Sequence, residues 1–216
     1  MSKLSRKERE KMQRRNEIIN AAEKKFFQKG FDQVSMDEIA QDLELSKPTL
    51  YLYFENKEAL FLEVIIRGMS LIRDLFKNVM EQEKTGKGKT LAFIHAFFDY
   101  CRKNPDYYRL LIEARTMMLR TRAIDYSGFK DARRFGELAL ETITLLKDSI
   151  QLGTKDGTLR KDLDPLQTAI FLSIACEGAF QITPDYRYLM KQGNVTLDQY
   201  LQHSIEVMMH GIAVAS

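Results

Sequence analysis

Apolar residues along the first third of the chain recur with a helical period. Ile18, Ile19, Ala22, Phe26 and Phe27 fall three and four residues apart, one stripe on a helix running from about Glu8 to Lys29. Gly30 stands where a left-handed residue ends such a helix, and Phe31 follows. In Val34-Ser35-Met36-Asp37-Glu38-Ile39, Ser35 caps a second helix and Glu38 reaches back to the cap's own N–H. Val34 and Ile39 occupy the two staple positions. This short helix buries Ile39, Ala40 and Leu43 and ends near Asp42 or Leu43. The device then repeats: Ser46 caps, Pro48 sits in the first turn, and Leu45 and Leu50 staple a third helix over about 47–54. Asn56 caps a fourth, carried by Leu60, Phe61, Val64, Ile65, Met69, Ile72 and Phe76 to about Met80. Two short helices with a tight link, set between two longer ones, form a helix-turn-helix arrangement.

Beyond it, Glu81–Lys89 is rich in Lys and Gly and reads as a linker. Further helices are predicted over about 90–103, 106–120, 128–153, 165–182 and 196–213. The breaks fall at Asn104-Pro105, Tyr126–Gly128, Asp156–Asp164 and Thr183–Asn194. No strand and no internal repeat is read, so the fold class is all-α.

Charge sharpens this picture through its distribution. The net charge is only +3, but residues 1–15 carry seven Lys and Arg against Glu8 and Glu10. Such a basic arm either lies along phosphates or merely solubilises a terminus, and charge alone leaves the two open. Cys101 and Cys176 are far apart in apolar surroundings and are expected to be buried packing residues. No signal peptide is read, and no apolar run reaches the roughly 20 residues that span a membrane. A cytoplasmic protein without membrane attachment is therefore expected. No GxSxG, phosphate-binding glycine loop or HExxH occurs, and His95, His203 and His210 lack the partners that complete a metal site. Neither catalytic nor metal-binding residues are expected, and no cofactor.

The chemistry concentrates in Ser46-Lys47-Pro48-Thr49-Leu50-Tyr51-Leu52-Tyr53-Phe54-Glu55-Asn56-Lys57-Glu58. A short helix enters the major groove only if its outward side chains are small or hydrogen-bonding. With Leu50 and Phe54 turned to the core, Lys47, Thr49, Tyr51 and Tyr53 can offer hydroxyls and a charge to DNA. Ser35, Ser46 and Asn56 mark helix N-termini that favour phosphate, and Lys57 stands at one of them.

VSMDEIAQDLELSKPTLYLYFENKEALF resembles the helix-turn-helix signature of the TetR family of repressors, through Ile39-Ala40, Leu45-Ser46, Thr49-Leu50-Tyr51, Tyr53-Phe54 and Lys57-Glu58. The likeness covers about residues 10–65. Asn104-Pro105-Asp106-Tyr107 and the loop from Asp156 to Pro165 resemble segments of that family's C-terminal domain. One departure is Glu44, where the turn before the third helix usually carries glycine. A non-glycine residue in a left-handed conformation there costs about 1–2 kcal/mol.

The resemblance implies nine or ten helices in a homodimer: a DNA-binding domain over 1–57 and a ligand-binding and dimerisation domain over 58–216. It implies groove and phosphate contacts for Thr49 and Tyr51, and phosphate anchors at Tyr53 and Lys57. Ser35 and Ser46 would present helix N-termini, with Lys47 and Pro48 at the leading end of the recognition helix. The expected partners are a palindromic double-stranded DNA operator and a small, lipophilic or aromatic effector that releases it. Candidate effector contacts are Phe97, Tyr100, Leu111, Arg115, Met118, Glu177 and Phe180, with Phe93, Phe98, Tyr107, Met117 and Phe171 adding aromatic and thioether surface. Arg115 and Glu177 would meet a ligand's charge or one another. Dimerisation is expected through Ala169, Ile170, Leu172, Ser173, Ala175 and Cys176, together with Leu201, Ile205, Met208, Met209 and Ile212. The competing readings are a helical interaction module that does not bind DNA, and an activator of the same fold.

Overall fold

The computed structural model describes residues 5–120 and 132–214, with residues 118–120 and 132 in backbone only. Its helices are α1 (Arg6–Gln33), α2 (Met36–Asp42), α3 (Lys47–Tyr51), α4 (Lys57–Glu81), α5 (Gly86–Lys103), α6 (Pro105–Arg120), α7 (Ala132–Asp156), α8 (Pro165–Phe180), α9 (Pro184–Gln192) and α10 (Leu197–Ile212). An isolated antiparallel bridge joins Leu159 to Ala213, and no strand occurs among the described residues. The expected break at Tyr126–Gly128 lies outside the described residues.

The chain divides into two compact units. The first takes Met1–Ser70 with Asn104–Leu138, the second Leu71–Lys103 with Ala139–Ser216. Helices α4 and α7 contribute residues to both.

In the first unit the expected stripe of α1 is buried at Ile18, Ile19, Ala22 and Phe26, and packs with Leu50, Phe54, Leu60 and Phe61 in one core. Phe26 and Phe31 both contact the Phe61 ring, at centroid distances of 5.1 and 4.7 Å. The local devices form as expected. Ser35 accepts from Glu38 N–H while the Glu38 carboxylate accepts from Ser35 N–H, at 3.2 and 3.0 Å. Ser46 Oγ accepts from Thr49 N–H at 3.3 Å, and Asn56 Oδ1 from Ala59 N–H at 2.8 Å. Val34 and Ile39, the staple pair, are both buried.

Other boundaries shift. The basic segment is helical from Arg6, because Ser5 and Glu8 form a capping box that the charge pattern obscured. Gly30 has the positive φ expected of it but an extended ψ (76°, 173°), which only glycine adopts readily, and one more turn follows it. Helix α3 ends at Tyr51 instead of Phe54; the chain tightens there, with Tyr53 N–H donating to Leu50 C=O at 3.0 Å.

In the second unit, Phe76 stacks on Phe93 at 4.0 Å, and Ile94, Leu146, Ile150, Leu172 and Cys176 are buried. Half of the expected linker is helix: α5 begins at Gly86, whose N–H donates to the Asp156 carboxylate at 2.7 Å. Gly86 meets the backbone of Gly153 so closely that no Cβ fits between them. The break expected at 183–194 contains α9, since Pro184 opens that helix and its missing N–H is harmless at the first position. Both cysteines are free and buried. Burial pushes the Cys176 thiol up to about 12 and the Cys101 thiol higher still.

The expected dimer stripe needs correction. Leu201, Ile205, Met208, Met209 and Ile212 of α10 are buried within the chain, as are Ala169, Leu172 and Cys176 of α8. Helix α8 is apolar on every side, so its sequence could not say which side faces its own core. Its exposed large apolar residues are Leu166, Ile170, Phe171 and Ile174. Phe171, at 61% exposure, is therefore not part of an internal aromatic surface.

Candidate nucleic-acid interface

Helix α3 is five residues long and held from behind by Leu50 and Phe54, exposed by 0 and 3%. That anchoring turns the other residues of the segment outward. Lys47 and Pro48 are exposed, Thr49 and Tyr53 half-buried, and Tyr51 exposed. Ser35 and Ser46 lie exposed at the starts of α2 and α3. The Ser46 and Thr49 hydroxyls share a hydrogen bond of 2.7 Å, which leaves one hydroxyl hydrogen free to donate. Seven of the eight candidate DNA-contacting residues thus fall on the α2–α3 segment and the turn after it.

Lys57, the eighth, is placed differently. Its ammonium donates to Phe31 C=O at 2.9 Å and lies 4.2 Å from the centre of the Phe31 ring. It ties the start of α4 to the end of α1, with two ammonium hydrogens left over. Lys47 also has a partner, the Asp37 carboxylate at 2.5 Å, across the turn between α2 and α3. Leu52 was missed by sequence reasoning. It is 79% exposed beside Tyr51, an apolar group suited to a thymine methyl. Its apolar type disguised it, because leucine in a helical pattern reads as core.

The turn itself carries Glu44 at φ 54°, a left-handed residue as expected, with its side chain exposed. Acidic groups around the segment are mostly paired: Lys25 with Asp42 at 3.0 Å and Lys29 with Glu38 at 2.6 Å. The hydrogen bond from Lys29, with that from Ser35 N–H, lowers the Glu38 pKa to about 2. Behind α3, Arg15 lies 4.8 Å from the Phe54 ring centre and pairs with the buried carboxylate of Glu63 at 2.8 Å. Arg134 stands 3.8 Å from the same carboxylate.

The candidate effector contacts divide between the units. Phe97 and Tyr100 of α5 are buried in the second, where Phe180 of α8 meets Phe98 at 5.4 Å and Phe97 at 6.2 Å. Glu177 is half-buried on the same helix as Phe180. Leu111 and Arg115 are half-buried on α6, in the first unit, and of Met118 only the helical backbone is described. Tyr107 serves the scaffold: its hydroxyl donates to Glu23 at 2.5 Å, and its ring meets Phe27 edge-on at 4.9 Å.

Residues 18–64 match the family described as bacterial regulatory proteins, tetR family. The HTH-type transcriptional activator FasR of Mycolicibacterium smegmatis is 31% identical over 101 residues, 47% of this chain and 46% of that protein. The chain spans about half the length of the first curated relatives it matches. Among solved structures, a transcriptional regulator from Saccharomonospora viridis in complex with choline superposes with a TM-score of 0.73 at 18% identity, covering 94% of this chain and 100% of that one. FadR from Bacillus subtilis in complex with stearoyl-CoA superposes with a TM-score of 0.64 at 17% identity, covering 90% and 97%. Residues 18–64 thus carry the helix-turn-helix segment of the tetR family of bacterial regulatory proteins, within a helical body that has the fold of a solved tetR-family structure.

Proposed function

We propose that this regulator is a repressor that binds a palindromic operator as a homodimer and is released by a small lipophilic or aromatic effector. The observation that carries the DNA-binding half is α3 itself: Leu50 and Phe54 are buried while Lys47, Pro48 and Tyr51 stand outward. In this reading residues 1–57 contact DNA in the cytoplasm. Thr49, Tyr51 and Leu52 meet base edges, while Ser35, Ser46, Lys47, Tyr53 and Lys57 meet phosphates. One such helix covers too little surface for tight specific binding, so two half-sites about 10 base pairs apart, or a multiple, are needed.

Residues 58–216 supply the dimer and the effector site. The exposed apolar ridge of Leu166, Ile170, Phe171 and Ile174 on α8, with Val207 on α10, supports an isologous interface there. Gly178 and Gly211 face open space where a side chain would stand, so each leaves room for a second copy to approach. The aromatic group of Phe97, Phe98 and Phe180 supports the effector class. The structural neighbours crystallised with choline and stearoyl-CoA have the same fold around chemically different ligands.

An activator is the second reading, favoured by the name of the relative FasR. Footprinting of the DNA just upstream of this protein's own gene, with a salt titration and a transcription assay, tests both. Protection of a palindrome with affinity falling steeply as salt rises supports the DNA reading. Loss of transcript supports repression, and gain supports activation. Absence of any protected site there or at neighbouring promoters counts against DNA binding.

A further inference from the structure

Helix α1 is interrupted by Gly30, and α6 is built into the interruption. In a regular helix Phe31 N–H would donate to Phe27 C=O. The extended ψ at Gly30 parts these two groups, and α6 takes both. Phe31 N–H donates to Glu113 Oε2 at 3.1 Å, and Arg109 Nη2 donates to Phe27 C=O at 2.7 Å. Arg109 also reaches Phe26 C=O at 3.3 Å, and its Nη1 pairs with Glu113 Oε1 at 3.1 Å. An ion pair from α6 therefore stands in for one backbone hydrogen bond of α1. Gly30 is buried there, and a Cβ added to it would meet Glu113 at 3.4 Å and Arg109 at 3.5 Å.

The far side of the same residue is held by α4. Phe31 C=O accepts from Lys57 Nζ, and the Phe31 ring packs on Phe61. Lys57 is the first residue of α4, reached through the turn that ends α3. Ser35, the cap of α2, lies four residues after Phe31. The Phe31 peptide thus sets the entry of α2 and the start of α4, the two elements that flank the recognition helix.

We infer that Glu113, far outside the matched helix-turn-helix segment, is a positioning residue for operator recognition, acting through the Phe31 peptide; this rests on the DNA-binding reading above. A carboxylate fixed on Phe31 N–H sets the angle at which α3 is presented. Sequence-specific contacts need that angle, whereas phosphate attraction does not.

The test uses the full-length dimer and a duplex that wild-type protein selects from a random-sequence library, beside a scrambled duplex of the same length. Failure of wild type to select any sequence would sink the DNA-binding reading, independently of Glu113. With a selected duplex in hand, Glu113→Ala is expected to lower the ratio of selected to scrambled affinity by about tenfold. Scrambled binding should stay unchanged. Glu113→Gln, which keeps a carbonyl acceptor, should restore most of the ratio. Glu113→Asp, a milder change with a shorter reach, should lower it about threefold. A purely structural role reduces the folded fraction, which weakens both affinities alike and leaves the ratio as it was. An unchanged ratio in Glu113→Ala and Glu113→Asp overturns the inference, as does a loss in Glu113→Gln equal to that in Glu113→Ala.

Discussion

Replacing Gly86 by alanine tests the packing that the second unit depends on. An added Cβ would lie 1.9 Å from Gly153 N and 2.2 Å from its Cα, with Ser149 O at 2.5 Å. All three are backbone atoms of α7, so no side chain can rotate away. Restoring ordinary contact at 3.4 Å requires α5 and α7 to part by about 1.5 Å. The crossing is flanked by the buried residues Thr90, Ser149 and Ile150, which would lose contacts as it opens. Overpacking costs about 1–3 kcal/mol. The charge-assisted bond from Gly86 N–H to Asp156, stretched by the same movement, carries about 1.5–3 kcal/mol more. The expected destabilisation is therefore about 2.5–6 kcal/mol, a fall in Tm of about 5–24 °C for a chain of this size. Thermal unfolding followed by circular dichroism, at one fixed protein concentration, reads it. Gly88→Ala is the control: the atoms nearest its Cβ are the ends of the Glu83 and Thr85 side chains, and stability should not fall by more than about 0.5 kcal/mol. A Gly86→Ala protein within 1 °C of wild type would refute the close approach of the two helices.

Other outcomes follow from single residues. Glu44→Gly relieves a left-handed glutamate worth about 1–2 kcal/mol and adds about 0.5–1 kcal/mol of unfolded-state entropy. A net gain of about 0.5–1 kcal/mol is expected in denaturant titration; a loss would show that the side chain makes a contact of its own. The Glu38 pKa lies at about 2, below its ordinary 4.5, so its stabilisation is complete above pH 4.5 and disappears as pH falls through 2. The stability of Glu38→Gln should accordingly depend less on pH than wild type between those values, and matching acid-unfolding curves would contradict the Lys29 pairing. Ile174→Asp places a charge on the exposed ridge of α8 and, in the proposed homodimer, should shift sedimentation toward monomer with little change in helicity. An undiminished dimer would move the interface elsewhere. Gly178→Ala adds a methyl to open space and should favour the helix by about 0.5–1 kcal/mol in a monomer, so weakened dimerisation in that variant would locate close helix contact there.

The residues that sequence reasoning placed correctly share one property: their partners are neighbours in the chain. A serine cap and a glutamate three residues later find each other in any helix that starts there, so Ser35 with Glu38, and likewise Ser46 and Asn56, were legible before any fold was known. Positive φ at Gly30 was legible for the same reason, as was the burial of Leu50 and Phe54 behind an outward-facing α3, whereas the left-handed Glu44 was expected only from the family resemblance. The Ser5–Glu8 box and the Pro184 start of α9 escaped although both are local, but the rest of what escaped depends on groups distant in sequence. The carboxylate on Phe31 N–H comes from Glu113, 82 residues away, and nothing local marks either end. The start of α5 inside a Lys- and Gly-rich stretch is decided by Gly153 and Asp156 on another helix. Helix α8 is apolar all round, so periodicity cannot choose the side that faces inward, and only the neighbours packed on it leave Ile170, Phe171 and Ile174 exposed. Local hydrogen bonding and period therefore determined most of the helices and the outward face of α3; where α5 starts, which face of α8 was buried, and what held α1 at its kink were decided by tertiary contacts whose energy arises only once distant segments meet.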